Sequence, residues 1–330
     1  IIPLKSYWIL WKFVELFLWI KLNTEEEKPL LIVLAGPTAV GKTKLSIELA
    51  KNKNSSIFSC DSRQFYREIS IGTAKPSLDD LSKVPHYFIN NKSIEEAYSA
   101  GDYEKEIINQ LEDYFRKQKI AFLVGGSGMY IDAVCRGLDN LPKDLTVRNR
   151  LNLELKDNGI KYLQENLKIL DPKHYSNIDL SNSQRLIRAL EVCRITSKPY
   201  SSLLTSNKKI RSFKIVKFLL HIDKNQLEIN IEKRVDHMVE NGLFQEVESL
   251  RDKKKLNALN TVGYKEIFNY FNGDSTKEEA INLIKRNTKK YAKRQMTWFK
   301  KDLSFHWIEN LDSSKSFNEI NSIISKLKPN

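Results

Sequence analysis

The chain has 330 residues, 41% of them hydrophobic and 29% charged, with 12 Gly and 9 Pro; this suits one or two folded domains and excludes collagen-like, low-complexity and disordered classes. Fifty-four Lys plus Arg face 41 Asp plus Glu, a net +13, which favours polyanionic partners such as nucleic acid, an anionic membrane or a phosphorylated ligand. Cys60, Cys135 and Cys193 stand far apart without a CxxC pair, against a disulfide framework or zinc site, so a reducing cytoplasm is expected.

Residues 7–20 are apolar but interrupted by Lys12 and Glu15, and a membrane span needs about twenty apolar residues. No small-residue cleavage site follows, so a signal peptide is not expected either. Residues 1–28 are read as an extension outside the fold.

Residues 30–35 form a short apolar, partly β-branched run, followed by a Gly-rich turn and a helical pattern through Leu45, Leu49 and Ala50. This predicts strand, loop, helix. Residues 57–60 and 121–124 are further strand candidates, the latter preceded by an amphipathic helix carrying Ile107, Ile108, Leu111, Tyr114 and Phe115. Alternating strands and helices imply a parallel sheet. Residues 141–205 read as an all-helical insertion, broken at Pro142, Pro172 and Pro199,. A strand returns at 215–222, and the rest is helical and basic with a last strand near 306–308. The expected division is therefore a core from 29–140 and 206–312, the insertion at 141–205, and a tail at 313–330.

Gly36-Pro37-Thr38-Ala39-Val40-Gly41-Lys42-Thr43 matches GxxxxGK[ST] where it is physically useful, after a strand and opening a helix. Its amides would close on phosphate oxygens, Lys42 would neutralise the outer phosphate, and the Thr43 hydroxyl would hold Mg²⁺. The loop alone does not say which diphosphate or triphosphate it grips. Cys60-Asp61-Ser62-Arg63-Gln64 places a carboxylate at the next strand end, facing the same crevice. Asp61 there is suited to holding metal-bound water, accepting a proton, or capping a helix. Gly125-Gly126-Ser127-Gly128 repeats the arrangement after the third strand, as a ligand-approach loop or a tight turn. The helix over 285–301 carries Lys285, Arg286, Lys289, Lys290, Lys293 and Arg294, an RNA backbone track or a solvated face. His86, His174, His221, His237 and His306 have no metal spacing and are read as structural.

Taken together, these segments resemble the tRNA dimethylallyltransferase family, also called tRNA isopentenyltransferases. The resemblance runs through the phosphate loop and Asp61 to Tyr66, then Ile71-Gly72-Thr73-Ala74-Lys75-Pro76, Pro85-His86-Tyr87, Tyr98 to Tyr103 and Leu123 to Tyr130. It resumes with Gln184-Arg185-Leu186-Ile187-Arg188-Ala189-Leu190-Glu191-Val192, Val262-Gly263-Tyr264-Lys265-Glu266 and Ala292 to Phe299, covering residues 30–309. It implies a P-loop NTPase-like α/β fold with parallel sheet and helical insertion. It also implies transfer of a dimethylallyl group from dimethylallyl diphosphate to N6 of adenosine at position 37, next to the anticodon, in tRNAs reading codons that begin with U.

In that family the phosphate loop holds the prenyl diphosphate, Asp61 is the general base, and Mg²⁺ on Thr43 helps the leaving group. The tRNA contacts it implies are Asp61, Ser62, Arg63, Gln64, Ser127, Arg148, Gln184, Arg185, Leu186, Ile187, Arg188, Asn260, Thr261, Val262, Gly263, Tyr264 and Lys265. The partners are then the tRNA anticodon stem-loop and dimethylallyl diphosphate; no stable protein partner is implied and a monomer is expected. Family members more often have Thr where Ser127 stands, and the Cys/His zinc finger of many eukaryotic relatives has no counterpart, which suggests a bacterial or organellar form. Three rivals remain: prenylation of free adenine nucleotides, a small-molecule kinase, and an RNA-binding switch without turnover. The long insertion and basic helix favour an RNA acceptor over the first, and no lid-Arg cluster supports the second.

Overall fold

The computed structural model describes residues 28–205 and 208–327. Residues 1–27, all but the last of the 1–28 read as an extension, lie outside them. The chain forms two compact units, one from the segments up to Cys135 and from Arg211 onward, the other Arg136–Ile210.

The larger unit is built on a six-stranded sheet in the order β3-β2-β4-β1-β5-β6, with β1 Leu30–Ala35, β2 Ile57–Ser59, β3 His86–Tyr87, β4 Ile120–Gly125, β5 Lys214–His221 and β6 Phe305–Glu309. Every pairing is parallel. Central strands of such a sheet are covered on both faces, so they read as unbroken apolar runs; all six residues of β1 are buried. In register, Leu34 sits beside Val124 on one side and Phe218 on the other.

Helices α1 Lys42–Asn52, α2 Leu78–Lys83, α3 Ala100–Phe115 and α4 Gly128–Arg136 connect the first strands. Ser99 and Asp102 close a capping box at the start of α3, satisfying orphan amides reciprocally. Expected strand positions agree to within a residue at each end, and the added strand is the two-residue β3, too short for a periodic signal.

After β5 come α9 Lys224–Glu240, α10 Leu243–Glu248, α11 Tyr264–Phe271 and α12 Lys277–Phe299, and after β6 comes α13 Ser313–Leu327. The segment expected to be a tail is thus corrected by the structure: Ile320 and Ile324 of α13 are fully buried, in one cluster with Leu30, Leu45 and Ile308. A Ser-rich start hid an amphipathic period that needs the sheet edge to pack against. Residues 328–330 lie outside the described set.

The second unit holds α5 Leu145–Leu170, α6 Pro172–Tyr175, α7 Ser183–Thr196 and α8 Tyr200–Leu203, and is wider than the 141–205 read from the sequence. Helix α5 breaks at Gly159, where φ is 75°, a backbone conformation costly for residues with a Cβ. Leu151, Leu163, Leu167, Leu186, Ile187 and Leu190 form its core. Among the described residues no helix is long and apolar enough to cross a membrane.

Candidate active site at the carboxyl edge of the sheet

Strands β2, β4 and β1 are neighbours, so the loops leaving their carboxyl ends share one edge, where parallel sheets place ligands. Those loops carry Asp61, Gly126–Ser127 and the phosphate loop.

Gly41 takes the left-handed conformation with φ 96° before α1 begins. A Cβ there would come 2.7 Å from Asn310 Nδ2, the group that donates to the Val40 carbonyl at 2.7 Å. Asn230 braces the same loop by donating to the Ala39 carbonyl. The Thr38 amide donates to Gln295 Oε1 at 2.9 Å, and Gln295 Nε2 donates to the Gly126 carbonyl at 2.9 Å. One buried amide on α12 therefore locks the two Gly-rich turns together.

Lys42 donates to the Gly36 and Pro37 carbonyls at 2.9 and 2.7 Å. Its pKa is pushed down to about 8, by burial first and by nearby Arg234 second, with Asp61 opposing. The ammonium is the form that neutralises a phosphate, so kcat/KM for a diphosphate substrate is expected to fall as pH rises through about 8,. Steady-state rates at limiting diphosphate measure this; a profile flat from about pH 7 to about 9.5 would contradict the role of the charge.

Asp61 follows the buried Cys60. Its Oδ1 accepts from the Arg63 amide at 2.9 Å, so it caps a turn rather than a helix, since no helix follows. The Ser62 amide donates to Ser127 Oγ at 3.0 Å. Gln64 is fully engaged: Oε1 accepts from the Ser59 hydroxyl, and Nε2 donates to the Thr73 and Ala74 carbonyls. Gln64 and Ser127 thus hold the walls of the site in place.

Two cavities adjoin here. One, of about 400 Å³, is lined by Lys42, Thr43, Gly125 and Gly126 on the phosphate-loop side. The other, of about 470 Å³, is lined by Ser62, Arg63, Gly72, Thr73 and the segment at 260–263. Thr38, Asp61, Arg234 and Tyr291 line both. Asp61 thus stands where a group held by the phosphate loop would meet a group in the larger cavity.

Arg234 and Tyr291 escaped the sequence reading. Burial pulls the Arg234 pKa down, with the Asp61 carboxylate opposing. Tyr291 is pushed up to about 12 by burial and by Asp61, so its phenol stays protonated. The overlooked signal was periodic: Ile231, Arg234, Val235 and Met238 fall at i, i+3, i+4 and i+7, a helix face whose apolar stripe contains a cation. Gln295 breaks the stripe of Ala292 and Phe299 in the same way.

Asn260, Thr261, Val262, Gly263 and Lys265 line the larger cavity, but Tyr264 is fully buried and its side chain is no surface contact. In the helical unit Leu186 and Ile187 are 0% and 1% exposed, core residues that cannot reach RNA with their side chains. Gln184 and Arg185 are exposed. Arg148 and Arg188 both donate to Glu191 Oε2, at 2.7 and 2.8 Å, and Arg188 also binds the Leu141 and Pro142 carbonyls. The expected cationic stripe on α12 is reduced too, because Lys285 pairs with Asp236, and Lys289 with Glu232 and Glu228. Arg286, Lys290, Lys293 and Arg294 remain exposed.

Among the described residues no three His, Cys, Asp or Glu side chains gather into a metal cage. Oxygen donors do meet at the smaller cavity, where Thr43 and Asp61 both line the wall.

The IPP transferase family matches residues 64–302. A tRNA dimethylallyltransferase from Christiangramia forsetii is 49% identical over 89% of this chain and 98% of its own length. One from Flavobacterium psychrophilum is 47% identical over 88% and 98%. Among solved structures, the tRNA isopentenylpyrophosphate transferase of Bacillus halodurans superposes with a TM-score of 0.68 at 35% identity, covering 91% of this chain and 97% of that one. A eukaryotic dimethylallyltransferase described as acting on tRNA reaches a TM-score of 0.74 at 27% identity, covering 91% and 80%. A sheet-edge phosphate loop facing a carboxylate, carried by a chain so similar along nearly its whole length, places this protein in the IPP transferase family.

Proposed function

We propose that this chain transfers the dimethylallyl group of dimethylallyl diphosphate to N6 of the adenosine at position 37, beside the anticodon, in tRNAs reading codons that begin with U. The observation that carries the proposal is the position of Asp61, lining both adjoining cavities. A transferase joining two substrates needs its base between them.

The diphosphate occupies the phosphate-loop cavity, where Lys42 turns from the Gly36 and Pro37 carbonyls to the phosphate oxygens. Arg234, half-buried, adds a second cation on the wall it shares with Asp61. An adenine stacked in an anticodon loop cannot reach this depth, so the nucleotide flips into the larger cavity. As the N6–C1 bond forms and the allylic C–O bond breaks, Asp61 takes the N6 proton and the diphosphate leaves with the electron pair. Lys42 and Arg234 stabilise the charge that develops on it.

The donor set fits Mg²⁺. Thr43 would supply a hydroxyl and substrate oxygens the rest, as suits a cation that favours phosphates and retained waters over an all-protein cage. Bound there, Mg²⁺ would neutralise charge on the leaving diphosphate. The exposed Arg185, Arg286, Lys290, Lys293 and Arg294 supply cationic surface for the RNA backbone.

Incubation with labelled dimethylallyl diphosphate and either tRNA or AMP tests the reading. Label is expected on the tRNA, at the adenosine after the anticodon. Label on AMP would put the chain among enzymes of free nucleotides, and no transfer to either would remove the prenyltransferase reading.

A further inference from the structure

We propose that Glu246 is a positioning residue that fixes the acceptor side of the active site by clamping two of its walls together. The inference rests on tRNA being the acceptor.

Glu246 lies on α10 and makes no contact with the phosphate loop among its described hydrogen bonds. Its Oε2 accepts from the Ser70 and Ile71 amides, both at 2.8 Å, and its Oε1 accepts from the Gly72 amide at 3.0 Å. The Tyr264 hydroxyl donates to the same Oε1. One carboxylate therefore receives three consecutive backbone N–H groups and a phenol. A turn with successive amides pointing inward is an anion-binding nest, and here the anion is supplied by the chain itself.

The consequence reaches the cavity through both partners. Gly72 and Thr73 line the larger cavity directly, and the Thr73 and Ala74 carbonyls hold the Gln64 amide beside Asp61. On the other arm Tyr264 anchors the segment whose Asn260, Thr261, Val262 and Gly263 line the facing wall. The two arms also interlock, since a Cβ at Gly72 would lie 2.5 Å from the Tyr264 ring. Only a residue without a side chain lets the ring sit against the turn.

A carboxylate suits this task because its two oxygens offer about four acceptor sites, and its hydrogen bonds are charge-assisted. An amide of the same shape keeps one acceptor oxygen and turns N–H groups toward the N–H groups of the turn. Glu246→Gln would loosen the acceptor walls and leave the phosphate loop, held by Gln295 and Asn310, as it is.

Steady-state kinetics with each substrate varied in turn tests this. Glu246→Gln is expected to raise KM for tRNA by about tenfold, with KM for dimethylallyl diphosphate unchanged within about twofold. Tyr264→Phe removes one donor and keeps the ring; it should raise KM for tRNA about threefold, and the double variant should match Glu246→Gln alone because both act through one clamp. Equal rises in both KM values, or a fall in kcat with KM for tRNA unchanged, would overturn the proposal. Should Glu246→Gln fail to fold, Tyr264→Phe decides by the same criterion. If the wild-type enzyme transfers nothing to tRNA, the function reading itself falls, a failure separable from that of the clamp.

Discussion

Replacing Asp61 with Asn is expected to lower kcat for dimethylallyl transfer to tRNA by roughly 10²- to 10⁴-fold, with both KM values within about threefold of wild type. The change is nearly isosteric and keeps Oδ1, which accepts from the Arg63 amide at 2.9 Å, so the turn survives and binding is spared. In the proposed mechanism, what would be lost is the ability to take a proton from N6. Single-turnover rates with pre-bound substrates would isolate this step from product release. A kcat within a few-fold of wild type would mean that the N6 proton leaves by another route.

Arg234→Met is expected to lower kcat/KM for dimethylallyl diphosphate by roughly 10²- to 10³-fold, the scale lost when one preorganised group stabilising transition-state charge is removed. Met resembles the arginine stem in length and suits a face shared with Ile231 and Val235, so an unchanged melting transition should accompany the loss. A second signature follows from the charges. Arg234 is the second cause, after burial, of the lowered Lys42 pKa; its removal should move the alkaline limb of the kcat/KM profile to higher pH. Loss of activity with an unmoved limb would mean that the Arg234 charge does not act on Lys42.

Much of the architecture was legible because it is local. An apolar run followed by GxxxxGKT predicts strand, loop and helix without reference to the rest of the chain, and the strand and helix occur where that spacing puts them. Asp61 could be singled out because Asp, Ser, Arg and Gln follow one another directly after a buried strand, at the edge where parallel sheets place ligands. Where side chains expected at a surface are buried or paired instead, packing is the reason. Leu186, Ile187 and Tyr264 sit inside segments that resemble a binding motif, yet their helical phase turns them inward. Arg148 and Arg188 look like free cations in the sequence, but both converge on the Glu191 carboxylate, which is 1% exposed.

What the sequence determined by itself was which residue types stand at each strand end: a GxxxxGKT loop after β1, a carboxylate after β2, a Gly-Gly turn after β4. These depend on residue type and on one change of period from strand to helix, both written in neighbouring positions. Tertiary structure alone decided which distant groups join them. Gln295 reaches Thr38 across 257 positions, Arg234 and Tyr291 arrive from α9 and α12 to share Asp61 between two cavities, and α13, read as a tail, completes the core. The physical reason is that these partners meet through helix packing on the sheet, and no local spacing encodes which face of a later helix will be turned toward an earlier loop.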